Sequence, residues 1–202
     1  MRQNSSDIAA VIRERICLHA GAEEMVLHEG QLATEFGVSR TPIRQVLQML
    51  AYESLVETRS GIGTIVPPLL AASRDRDETA FRAILAAAAA CPSPHGHIPE
   101  TVRLRLGEGR RALRDTRMSE AQALFASLAA LLDATVALIG DHIVVTALRA
   151  AYWRHIRWTI AQDSTTRAAA LTRLRQLIAD SEGLADADDL PGLLMLLTRN
   201  AI

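Results

Sequence analysis

The stretch FGVSRTPIRQVLQML, residues 36–50, decides how the rest of the chain is read. Ile43, Val46, Leu47 and Leu50 recur at the i, i+3, i+4, i+7 spacing that turns one stripe of a helix into a core. Arg40, Arg44 and Gln48 lie four residues apart, so they stack on a second face of the same helix. Two guanidinium groups projecting from its first turns can reach phosphates or guanine edges. Ser39 and Thr41 are both cap-type residues, and Pro42 is tolerated only near a helix start. The helix therefore begins here, with the capping residue open between the two. Gly37 supplies the preceding turn. No acid occurs between Glu35 and Glu53, an anion-compatible window of 17 residues. The stretch alone fits a recognition helix for duplex DNA or an ordinary surface helix with two arginines, and its neighbours decide between them.

Upstream, Ile8, Val11, Ile12 and Ile16 repeat with helical spacing to about His19, with Ser6 or Asp7 as the expected cap. Leu32, Ala33 and Phe36 signal a second helix just before Gly37, and helix, short turn, helix is the unit that lays its second helix in a major groove. Downstream, Leu55 to Arg59 and Thr64 to Val66 are short β-rich runs joined by Ser60, Gly61, Ile62 and Gly63. That is a hairpin with glycines where unusual backbone angles are needed, placed as a wing beside the helix. His19 and His28 are expected to be solvated.

Residues 8–67 thereby resemble the N-terminal domain of the GntR family of bacterial transcription regulators. The resemblance rests on Leu32-Ala33, on Gly37 to Arg44, on Leu47 to Val56 and on the wing from Gly61 to Thr64. It implies DNA contacts from Ser39, Arg40, Thr41 and Arg44 on the recognition helix and from Gly61, Gly63 and Thr64 on the wing. The chain departs from the family pattern at Glu23-Glu24, where a Pro-Gly turn is usual, and at His28, where a Ser cap is common. Gln45 stands for the usual Glu, and Ser54 for the usual Gly.

The 202 residues are 49% apolar, enough for one large or two small cores. Phe, Trp and Tyr together number seven, so those cores must be built from Ala, Leu, Ile and Val. Lysine is absent, and the 22 arginines face 23 acids, which excludes a chain-wide basic nucleic-acid binder. Even residues 1–67 hold six arginines against eight acids, so any DNA affinity must be local and helped by dimerisation. Cys17 and Cys91 sit in helical apolar patterns without zinc spacing and are expected to be reduced thiols. No signal-peptide pattern occurs and no apolar run reaches 18 residues, so no membrane association and a cytoplasmic location are expected.

Beyond Pro67-Pro68 the strand signals stop. Residues 68–78 are expected to be a linker, and residues 79–202 an all-helical antiparallel bundle of about six helices, making the chain mainly α with an N-terminal winged helix-turn-helix (residues 1–67). The helices are expected at Ala80–Cys91, Glu100–Arg114, Ser119–Ile139, Asp141 to about Gln162, Thr166–Ser181 and Leu190–Asn200. This order resembles the fatty-acid-regulator-like (FCD) branch of the GntR family, much of which holds a metal through an acid and three histidines, the first two in D-x-x-F-H. Here the matching stretch is Gln122-Ala123-Leu124-Phe125-Ala126, and Leu174 and Asn200 stand near the later ligands, so no metal is expected. His95 and His97 have a metal-compatible spacing but no third ligand nearby.

Leu148, Tyr152, His155 and Thr159 share a helix face that mixes apolar bodies with polar tips. Tyr152 and His155, with Gln122, are the expected lining of an effector pocket, unless they are packing residues. Trp153, Arg154, Arg157 and Trp158 suit a cation–π surface for a dimer partner. No nucleophile with a neighbouring base, carboxylate pair or phosphate loop can be assembled, so no catalytic residue and no cofactor are expected. The expected function is a transcription regulator, a repressor by expectation, that binds operator DNA as a homodimer and responds to a small-molecule effector. The alternative is a dimeric DNA-binding module without an effector.

Overall fold

A computed structural model describes residues 4–19 and 23–199. Among these residues the chain forms α1 (Ser5–Leu18), β1 (Met25–Leu27), α2 (Glu29–Phe36), α3 (Arg40–Tyr52), β2 (Glu57–Arg59) and β3 (Gly63–Val66). A short 3-10 turn (Ala71–Ser73) leads into α4 (Arg74–Ala89), α5 (Glu100–Arg114), α6 (Glu120–Val136), α7 (His142–Ile160), α8 (Ser164–Asp186) and α9 (Leu190–Arg199). The architecture is the expected one: a winged helix-turn-helix followed by six packed helices.

In the N-terminal domain Ile8, Ile12 and Ile16 of α1 meet Ile43, Val46, Leu47 and Leu50 of α3 in a shared core. Each such side chain contributes roughly 1.5–3 kcal/mol on burial, which makes the apolar stripe of α3 the anchor of the domain. The cap of α1 is Asn4, not Ser6 or Asp7: its side chain accepts from the Asp7 N–H at 2.8 Å, and Asp7 reciprocates as the third residue of a capping box. Gly37 ends α2 in the left-handed region (φ 63°), and Val38 N–H donates to Ala33 C=O behind it. The same motif closes α3, where Leu55 N–H reaches Leu50 C=O. Its left-handed position is Ser54, at φ 56°, a conformation that costs an L-residue about 1 kcal/mol.

The sheet has the order β1-β3-β2, with Val26 opposite Ile65 and Thr58 opposite Thr64. Nothing in the sequence announces β1, because three residues are too few to display alternation. That strand matters: it stitches the start of α2 to the wing.

In the C-terminal domain α5 has the expected bounds, whereas α6 stops at Val136 and Leu138-Ile139 continue as a buried loop bridged to Pro92. Ser119 and Asp141 cap α6 and α7 as helix-start residues. The charged run Ser73 to Glu78 is not a free linker. It holds the end of the 3-10 turn and the first turn of α4, with Asp75 and Asp77 at the positive end of the helix. Gly109 lets α5 approach the bundle closely, since a Cβ there would lie 2.9 Å from Ile178 Cδ1.

The residues joining the two domains differ from expectation. Trp153 is buried, with the Arg13 guanidinium of α1 5.6 Å from its ring centre. Arg154 pairs with Asp77 at 3.2 Å, Trp158 donates to the same carboxylate at 3.1 Å, and Arg157 donates to Pro67 C=O at 2.9 Å. The side chains expected on a dimer surface therefore lock α7 against α1, α4 and the domain connection within one chain. Among the described residues no helix is long and apolar enough to cross a membrane.

Candidate nucleic-acid interface

The recognition helix α3 starts at Arg40, with Ser39 as its N-cap residue, although the Ser39 hydroxyl makes no capping hydrogen bond. Ile43, Val46, Leu47 and Leu50 face inward, and Ser39, Arg40, Thr41, Arg44 and Gln48 all face outward. The first-turn amides of α3 are thus left for an anion, as helix N-termini favour. Across from them, the wing turns at Gly61 (φ 78°) and Gly63 (φ 110°), conformations suited to glycine, and exposes Ile62 between them. A groove of about 440 Å³ is lined by Arg44 and Gln48 of α3 together with Thr58, Ile62, Gly63 and Thr64 of the wing. The structure therefore joins Arg44, Gly63 and Thr64 in one groove. Ser39, Arg40 and Thr41 lie at the exposed start of α3, and Gly61 at the tip of the wing.

The electrostatics of this domain were not visible in its sequence. Each arginine but one among its described residues is held by an acid distant in the chain. Arg13 forks onto Glu53 through Nε and Nη2 at 2.6 and 2.8 Å, and Arg15 pairs with Glu35. Arg59 reaches Glu24 at 2.6 Å, and Arg44 Nε donates to Glu29 at 2.8 Å. The Arg15–Glu35 bond holds the Glu35 carboxyl below, and the Arg15 guanidinium above, their ordinary values. Arg40 stands apart, exposed and without an acid partner among the described residues, its guanidinium close to Gly30. Arg40 is therefore immediately available to a phosphate or a base edge, whereas Arg44 must first leave Glu29.

Glu24 occupies the expected Pro-Gly position and serves as the acceptor for Arg59, which ties the loop before β1 to the wing. His28 stands at the N-cap of α2 without a capping bond and is exposed, whereas His19 is half-buried with its Nε2 enclosed, contrary to the solvated expectation.

In the bundle, Gln122 belongs to the capping box of α6, its Oε1 accepting from Ser119 N–H at 3.0 Å, and it does not join Tyr152 and His155. Tyr152 is buried and its hydroxyl is pushed far above its usual pKa by desolvation. His155 stacks on Phe81 at 4.3 Å and borders a cavity of about 180 Å³ with Arg74, Phe81, Trp158 and Arg173. The D-x-x-F-H metal ligands have no substitutes: Gln122 is committed to its cap, Ala126 has no donor and Leu174 is fully buried among apolar residues. These residues do not fit a metal, and Asn200 lies outside the described residues. His95 and His97 are exposed loop neighbours, with ring centres 6.2 Å apart, and no group of three His, Cys, Asp or Glu residues suited to a metal occurs among the described residues.

Fold and site together define a winged helix-turn-helix DNA-binding domain joined to a helical bundle. Residues 4–66 match the family described as bacterial regulatory proteins, gntR family, so the N-terminal domain is a GntR-family helix-turn-helix domain. Over 65 residues the chain is 40% identical to an uncharacterized HTH-type transcriptional regulator in an unstable DNA locus of Streptomyces ambofaciens; the match covers 32% of this chain and 28% of that relative. Over nearly the whole chain the fold is similar to a GntR protein from Rhodococcus sp. RHA1, at 18% identity and a TM-score of 0.56, covering 98% of this chain and 94% of that one. It is also similar to E. coli McbR/YncC, at 15% identity and a TM-score of 0.53, covering 100% of this chain and 94% of that one.

Proposed function

We propose that the protein is a transcription regulator, a repressor in its simplest form, that binds operator DNA as a homodimer through residues 1–67. The observation that carries this is the exposed Arg40, free of any acid partner among the described residues, at the start of a helix set beside a glycine wing. In such a dimer two α3 helices enter adjacent major grooves, so the operator is palindromic. Arg40 and Arg44 specify or position, the α3 amides and wing backbone hold phosphates, and Ile62 lies at the minor groove edge. The contacting set is Ser39, Arg40, Thr41, Arg44, Gly61, Gly63 and Thr64. The bundle, residues 79–202, is read as an FCD-type domain without its metal, supplying dimerisation.

Selection of bound duplexes from a random pool tests this. A palindromic motif with half-sites about one helical turn apart or closer is expected, together with a dimer in sedimentation. Equal retention of all sequences, at the level of a salt-sensitive background, overturns it.

An effector seated beside His155 would modulate DNA binding by favouring one arrangement of the two domains. The cavity there holds about 180 Å³, below the roughly 300–1,000 Å³ usual for ligand pockets. That tightness favours a second reading, in which the bundle dimerises or recruits a partner protein without an effector at this seat.

A further inference from the structure

Arg157 is a buried charge without a counter-charge among the described residues. The residue is 4% exposed, its Nη2 donates to Pro67 C=O, and its Nε has no hydrogen-bond partner among the described residues. An arginine stays protonated in a protein, so neutralisation is not a way out, and an uncompensated buried ion is strongly destabilising. The neighbours do not relieve it. Cys17 lies close, but burial pushes its thiol up to about 12, so it is neutral at physiological pH. Arg154 adds a like charge, and desolvation together with that neighbour depresses the Arg157 pKa. Asp77 of α4, which lines the same cleft, has one oxygen on Arg154 and the other on Trp158.

Arg157 borders a cleft of about 380 Å³ between the two domains. Its walls include Ser54, Val56 and Glu57 of the winged domain on one side and Arg76, Arg154 and Arg157 on the other. Arg76 is exposed, bonded only to the Ser73 hydroxyl among the described residues, and can swing over the opening. Pro67, Pro68 and Leu69 supply an apolar flank.

We propose that this interdomain cleft is a binding site for a small oxyanion, a phosphorylated or carboxylated metabolite, with Arg157 as its buried anchor and Arg76 and Arg154 at its mouth. Guanidinium forks match the geometry of phosphate and carboxylate oxygens, and the apolar flank leaves room for a small organic body. The ligand touches both domains at once, so it fixes the orientation of the recognition helix relative to the bundle. It is distinct from the cavity at His155, and anion binding is measured without DNA.

The test is calorimetric titration and thermal melting of the full chain with inorganic phosphate and with phenyl phosphate, against chloride at matched ionic strength. Wild-type protein is expected to show saturable stabilisation by both probes and not by chloride, with phenyl phosphate the tighter if the flank is used. Arg157→Met is expected to weaken binding at least tenfold, and Arg76→Gln about threefold. Arg76 is exposed and its replacement leaves the core untouched, so Arg76→Gln decides the matter if Arg157→Met fails to fold. Arg40→Ala is expected to bind as wild type does. Absence of any phosphate-specific effect overturns the proposal, as does unchanged binding in the cleft variants. Loss of binding in Arg40→Ala alone overturns it too, placing the anion on the recognition helix instead.

Discussion

Replacing Glu29 by Gln is expected to tighten DNA binding, although it removes a salt bridge. Glu29 opens α2 and holds Arg44 Nε at 2.8 Å, with the arginine side chain 66% and the glutamate 34% exposed. A pair so exposed is worth about 0.2–1 kcal/mol, which Arg44 forfeits when it turns to DNA. The freed carboxylate would then face phosphates, a repulsion of about 0.6 kcal/mol at roughly 7 Å in water. Together these give about 0.8–1.6 kcal/mol, or about four- to fifteenfold tighter binding. The same substitution sacrifices the ion pair and the favourable charge at a helix N-terminus, so the protein should be less stable by about 0.5–1.5 kcal/mol. Fluorescence anisotropy on a labelled duplex, beside a urea melt, measures both. Weaker DNA binding by a folded Glu29→Gln protein would refute the reasoning, because it would mean that Glu29 positions Arg44 for DNA rather than competing for it.

Four further outcomes follow from local structure. Ser54→Gly relieves the left-handed backbone at the end of α3 and should stabilise by about 0.5–1 kcal/mol, raising Tm by about 1–4 °C. Gly107→Ala on the open side of α5 should also stabilise, by up to about 1 kcal/mol. Gly109→Ala, whose Cβ would press on Ile178, should leave the protein less stable than Gly107→Ala by about 1–3 kcal/mol in the same melt. With the Cys17 thiol buried and raised to about 12, a thiol reagent at pH 8 should titrate only Cys91 in the folded protein and both cysteines in denaturant; rapid native modification of Cys17 would contradict this.

What the sequence displayed was whatever a helix writes with its own period. The stripe of α3, the αL glycine at 37, the wing glycines and the bounds of α5 are all carried by residues a few positions apart, and the structure places them accordingly. Features built from distant residues were not legible. Glu29 and Arg44 are 15 residues apart, Arg13 and Glu53 are 40 apart, and no periodicity links them. Strand β1 is three residues long and exists because β3 is there to pair with it. Trp153, Arg154, Arg157 and Trp158 read as a surface because their chemistry suits one. Only the arrival of α1, Asp77 and Pro67 from elsewhere in the chain turns them into an internal joint. Gln122 lay in a plausible stretch for a pocket, yet the cap of α6 had the prior claim.

In the proposed function Arg40, the arginine of this acidic domain that no acid holds among its described residues, carries DNA recognition. The most direct test is the affinity of Arg40→Ala for the duplex enriched from a random pool, at fixed salt. Arg40→Ala is expected to bind about five- to 150-fold more weakly, the roughly 1–3 kcal/mol of a guanidinium–guanine or phosphate contact, with Tm unchanged and sedimentation as for wild type. Undiminished affinity in a folded Arg40→Ala protein would contradict it.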